Sequence, residues 1–202
     1  MLPIWHNLPA SLAGPETITV IWLTPDSGCS TMATATRNSW YIPAKPTTYS
    51  VVGFIAALIG GTLLAGIADL AGQIGIAHLA GSTPESVLRA IASAVIDPAT
   101  IADPQQLLII GAAVHFGIIA VMVLVYLIAA ARIPLVNSTP EISIFGYGLI
   151  LGFIMIWIVL PLRWPDRVPG TTPVDIIGPL LRHIFLVAAP IAMVAKLAAR
   201  RD

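Results

Sequence analysis

The sequence predicts an all-α integral membrane fold, a four-helix bundle with one short amphipathic helix at the interface between its first and second spans. Three observations predict it. The 202-residue chain is 57% apolar and only 10% charged, against ~25% charged residues in a typical soluble domain. Its mean hydropathy is +0.90. Four segments are each apolar over the ~20 residues that a helix of ~1.5 Å rise per residue needs to cross a bilayer. Their apolar runs are long and continuous rather than alternating, which argues against strand spans.

Ten basic and ten acidic residues leave no net charge. This composition excludes a disordered chain and a nucleic-acid binder, and it argues against a soluble globular enzyme. The single cysteine, Cys29, cannot close an internal disulfide, which excludes a disulfide scaffold.

Span 1 is expected over about 50–80, span 2 over 105–131, span 3 over 142–162 and span 4 over 174–197, all within a membrane domain covering 49–200. Between spans 1 and 2, Val87, Leu88, Ile91, Val95 and Ile96 recur at helical spacing, bracketed by Pro84 and Pro98. This pattern predicts an interfacial helix over about 84–96. Pro161 is expected to end span 3, and Pro190 to kink span 4.

Residues 1–48 are expected to be an N-terminal extension, largely disordered. Residues 1–31 show no helical or strand periodicity and no basic, apolar and small-residue pattern of a signal peptide. Met32 opens Met-Ala-Thr-Ala-Thr-Arg-Asn-Ser, which reads like a natural start. Residues 1–31 are thus either the product of a mis-assigned initiation codon or an ordinary extension, and the intact mass of native protein distinguishes the two.

Counting Lys and Arg sets the expected orientation. With both termini cytoplasmic, Arg37, Lys45, Arg132, Lys196, Arg200 and Arg201 lie inside, and Arg89, Arg163, Arg167 and Arg182 outside.

Helices in lipid associate by close backbone approach. On span 1, Gly53, Ala57, Gly61, Ala65 and Asp69 recur at i+4 steps and Gln73 continues the series. Span 3 offers Gly148 and Gly152, and span 2 offers Gly111, Ala113 and Gly117. These stripes are expected to make contacts within the chain, with a homodimer as the lesser alternative. The bilayer is the expected partner, with other membrane proteins or a second copy beside it.

Three ionisable residues share one depth. Asp69 is 11 residues from Ala80, His115 is 10 from Gln105 and His183 is 9 from Val174. Each lies ~15 Å along its helix from the same side of the membrane. Charge facing lipid there costs ~2.5–3.5 kcal/mol, so Asp69, His115, His183 and the adjacent Arg182 are expected to turn inward and meet. Three readings follow: a buried hydrogen-bond network that fixes packing, a proton or ion relay, and a b-type haem or metal site with His115 and His183 as ligands. The motifs G-x-x-x-x-G-K-[ST], H-E-x-x-H, G-x-S-x-G and C-x-x-C do not occur, so no catalytic residues are assigned.

An ordered series of short motifs carries a family likeness. It runs Gly66 and Asp69, Leu88-Arg89-Ala90-Ile91-Ala92-Ser93, His115-Phe116, Tyr126, Gly146-Tyr147-Gly148, Val159-Leu160-Pro161-Leu162 and His183. From about Val51 to Ala195 the chain resembles the uncharacterised bacterial four-helix inner-membrane proteins loosely related to YagU. It departs from them at Ala94, where members often have Gly, and at Trp157, where they often have a polar residue. The resemblance implies four helices in a bacterial inner membrane and brings no established activity. The expected role is non-catalytic, structural or accessory.

Overall fold

The computed structural model describes residues 17–21, 32–36, 47–165 and 172–199. The chain divides into two units, 1–43 and 44–202.

In the first unit, strands Thr17–Ile21 and Met32–Thr36 pair antiparallel, with Thr17 opposite Thr36 and Ile21 opposite Met32. Thr17-Ile18-Thr19-Val20-Ile21 is an unbroken run of β-branched residues, whose stiff side chains favour extended backbone. Cys29 and the orientation residues Arg37, Lys45, Arg167, Arg200 and Arg201 lie outside the described residues.

The second unit is all-α. Four helices are long and apolar enough to cross a membrane: span 1, Val51–Leu79; span 2, Pro104–Arg132; span 3, Pro140–Arg163; and span 4, Pro173–Ala198. This is a multi-pass membrane architecture. Each span starts where local chemistry permits. The Ser50 hydroxyl accepts from Gly53 N at 2.9 Å, the Asp103 carboxylate from Gln105 N at 2.9 Å and the Thr172 hydroxyl from Asp175 N at 3.3 Å. Pro104, Pro140 and Pro173 occupy first-turn positions, where the missing N–H costs nothing. Span 1 ends in a left-handed Gly81, φ +79°, with Gly81 N donating to His78 O and Ser82 N to Ala77 O. Only glycine takes that backbone without penalty.

The connecting helix is Pro84–Ala92, shorter than expected, and turns follow it to a 3₁₀ turn at Pro98–Thr100. It packs along span 2. A Cβ on Gly111 would collide with Leu88 O, so glycine is what lets the two backbones meet there. A further short helix, Pro134–Ser138, joins spans 2 and 3.

Spans 3 and 4 each contain a π-helical stretch, Met155–Val159 and His183–Ala188. Each stops two residues before a proline, Pro161 and Pro190. A proline ring crowds the carbonyl four residues back and offers no N–H, and a widened turn accommodates both defects. Pro161 therefore does not end span 3, as expected, but lies within a last turn that continues to Arg163.

Span 1 packs against spans 2 and 4, and span 3 against span 4. The small-residue stripe of span 1 is the seam. Ala57 and Ala65 are buried, a Cβ on Gly61 would meet Val123 Cγ1 at 3.0 Å, and one on Gly53 would meet Ala198 O at 3.0 Å. Gly148 and Gly152 do the same for spans 3 and 4. A Cβ on Gly148 would lie 2.5 Å from Ile184 Cα, and one on Gly152 2.7 Å from Leu180 Cδ2. Where spans 2 and 3 meet, the Tyr147 hydroxyl donates to Met122 O at 2.5 Å and its ring stands edge-on to Tyr126.

Candidate functional site

Asp69, His115 and His183 are 4%, 5% and 4% exposed, so all three turn away from lipid. Each finds a different partner. Span 1 carries Asp69 on its buried seam, and Gln73, one turn later, donates Nε2–H to Asp69 Oδ2 at 2.8 Å. From span 4, Arg182 Nε approaches Asp69 Oδ1 to 3.5 Å. The Arg182 stem passes over Gly72 at van der Waals distance, a Cβ there lying 3.9 Å from Arg182 Cδ, while the close approach that glycine permits is that of Leu186, whose Cδ1 would lie 2.5 Å from such a Cβ. The pair is shielded: the side chains are 19% and 6% exposed. Asp69 Oδ1 itself accepts no hydrogen bond.

Neither histidine hydrogen-bonds to this pair, but His183, next to Arg182, lies within electrostatic reach of both Arg182 and Asp69. His115 of span 2 donates Nε2–H to Gly66 O of span 1 at 3.0 Å, one turn before Asp69. Its ring stands edge-on to Phe116, which packs where Gly66 lacks a Cβ. His183 donates Nδ1–H back to Pro179 O of its own helix at 2.8 Å. The four residues expected to turn inward thus form one carboxylate–guanidinium–amide cluster with His183 in electrostatic reach of it, and the hydrogen bonds of both imidazoles go to backbone carbonyls. A long Arg stem laid over Gly72 brings a fixed cation to the carboxylate, and each imidazole bonds to a backbone carbonyl.

Among the described residues, no group of three His, Cys, Asp or Glu side chains gathers where it could hold a metal ion. His115 and His183 each commit one ring nitrogen to a carbonyl, on span 1 and on span 4 respectively. Gln73 is the cluster member not expected as part of the site. Its i+4 spacing from Asp69 on the same stripe was the available signal. Comparison with family models, curated proteins and solved structures finds no match to this chain.

Proposed function

We propose that this chain is a non-catalytic accessory bundle of the bacterial inner membrane, with both termini cytoplasmic, related to the YagU-like four-helix proteins. One observation carries the reading. Two of the three buried polar residues link helices: Asp69 pairs with Arg182 across spans 1 and 4, and His115 bonds to Gly66 O across spans 1 and 2. Groups spent in this way specify packing. The Asp69→Asn variant tests it. Under this reading the midpoint of thermal unfolding in detergent falls, and proton flux in proteoliposomes between about pH 5.5 and 7.5, where histidines titrate, equals that of protein-free vesicles for both proteins. Wild-type flux that the substitution abolishes would overturn it.

A second reading, a small proton- or ion-coupled permeation protein, is favoured by the Asp69 Oδ1 atom, buried without a hydrogen bond. The same flux measurement decides between the two.

A further inference from the structure

The connecting helix Pro84–Ala92 rests on the bundle rather than being built into it. Its charged side chains Glu85 and Arg89 are exposed, Val87, Leu88 and Ile91 are half-buried, and Ala92 alone is fully buried. Among the described residues no ion pair joins it to a span. A helix of 9 residues does not hold itself together in water, so its place depends on what it lies against.

Leu88 presents its backbone to Gly111 of span 2, where the missing side chain leaves a flat seat with nothing to interlock. In the turn after the helix, Ala94 O accepts the Nε–H of the exposed Arg163, at the end of span 3, at 2.9 Å. Either end of the segment is a turn. Gly81, left-handed at φ +79° and with no atom within 4 Å of where a Cβ would stand, precedes it. Asp97 and Pro98 turn the chain after it.

The site lies next to this seat. Gly111 and His115 are both buried, one turn apart on one face of span 2. His115 bonds to Gly66 O of span 1, and the connecting helix packs against span 1 as well as span 2. The helix therefore fills the angle between the two spans one turn from the His115–Gly66 bond, on the side toward which Asp69 and Gln73 follow Gly66.

We propose that the connecting helix is a hinged cover over this junction, latched by the Arg163–Ala94 bond, and that its release admits small polar solutes to His115. Local opening follows the weakest contacts, and a single exposed hydrogen bond beside a glycine seat is weaker than the seams of small residues between the spans. The cover goes beyond the accessory-bundle reading and stands under either reading of Asp69.

Modification of the histidines by diethyl pyrocarbonate, read by peptide mass spectrometry on the full chain in detergent, tests it. His115 keeps one ring nitrogen free of the Gly66 bond and can react there, and the exposed His78 is the internal reference. In the wild-type protein His115 should react far more slowly than His78. Arg163→Gln removes the latch and should raise the His115 rate roughly fivefold, the factor that one hydrogen bond is worth, with the unfolding midpoint unchanged. Gly111→Ala, which unseats the helix through the other contact, should also raise it. Wild-type His115 that reacts as fast as His78 overturns the proposal. So does His115 that stays protected in folded Arg163→Gln and Gly111→Ala proteins, and so does reactivity that rises only together with loss of the folded elution volume.

Discussion

Arg182 of span 4 lies across Gly72 of span 1 and holds its Nε 3.5 Å from Asp69 Oδ1, forming a shielded ion pair between two helices that also pack by close backbone contact. Its energetic weight depends on how it is broken. Leaving one buried charge behind costs ~3–5 kcal/mol, whereas replacing both partners by apolar groups of similar volume is close to neutral.

Asp69→Leu and Arg182→Met, made singly, should each lower the unfolding midpoint in detergent markedly. The double variant should recover most of the loss. Thermal unfolding followed by size-exclusion chromatography measures all three, and a double variant as unstable as the singles would show that the pair does more than satisfy its own charges.

Glycines divide into two sets with opposite expected responses. Gly148→Ala drives a Cβ to within 2.5 Å of the Ile184 backbone, and no rotamer change relieves that contact. It should destabilise the bundle and loosen spans 3 and 4. Gly117→Ala and Gly146→Ala meet nothing within 4 Å. They should be neutral or stabilising by up to ~1 kcal/mol, because alanine restricts the helix backbone at no steric cost. Unfolding midpoints of the three variants give the comparison.

Tyr147→Phe removes the hydroxyl that donates to Met122 O and leaves the ring contact with Tyr126. The expected loss is ~0.5–1.5 kcal/mol, the net worth of one hydrogen bond. His115→Ala should cost more. It removes both the bond to Gly66 O and the buried ring against Phe116.

Glu85, in the first turn of the connecting helix, is fully exposed, and hydrogen bonds from its own backbone amide and from Thr83 hold its carboxyl below the usual glutamate range. The folded protein therefore stays ionised there to lower pH than the unfolded chain. The stabilisation is present above the unfolded-state value and is lost as pH falls through the folded-state value. An NMR titration of Glu85 should show the lowered midpoint, and Thr83→Ala should move it back up.

Much of the architecture could be read along the chain. The spans were expected at 50–80, 105–131, 142–162 and 174–197, and they are found at Val51–Leu79, Pro104–Arg132, Pro140–Arg163 and Pro173–Ala198. Length and hydropathy suffice for that, because a bilayer demands continuous apolar helices and serine, threonine, aspartate and proline mark their starts. The burial of Asp69, His115 and His183 was legible for a related reason: an ionisable group at that depth has nowhere favourable to go but inward.

Partner choice was not legible. That Asp69 takes Arg182 and Gln73, that His115 takes Gly66 O and that His183 folds back on Pro179 O depend on helix rotation and side-chain reach, which depth alone does not define. The packing of the connecting helix at Gly111 likewise arises only when neighbouring helices compete for the same space. The chain by itself determined which residues enter the membrane and which face leaves the lipid, since both are set by transfer of each group out of water. Tertiary structure decided which buried polar atoms bond to one another, since that is set by ångström-scale distances between helices that lie far apart in sequence.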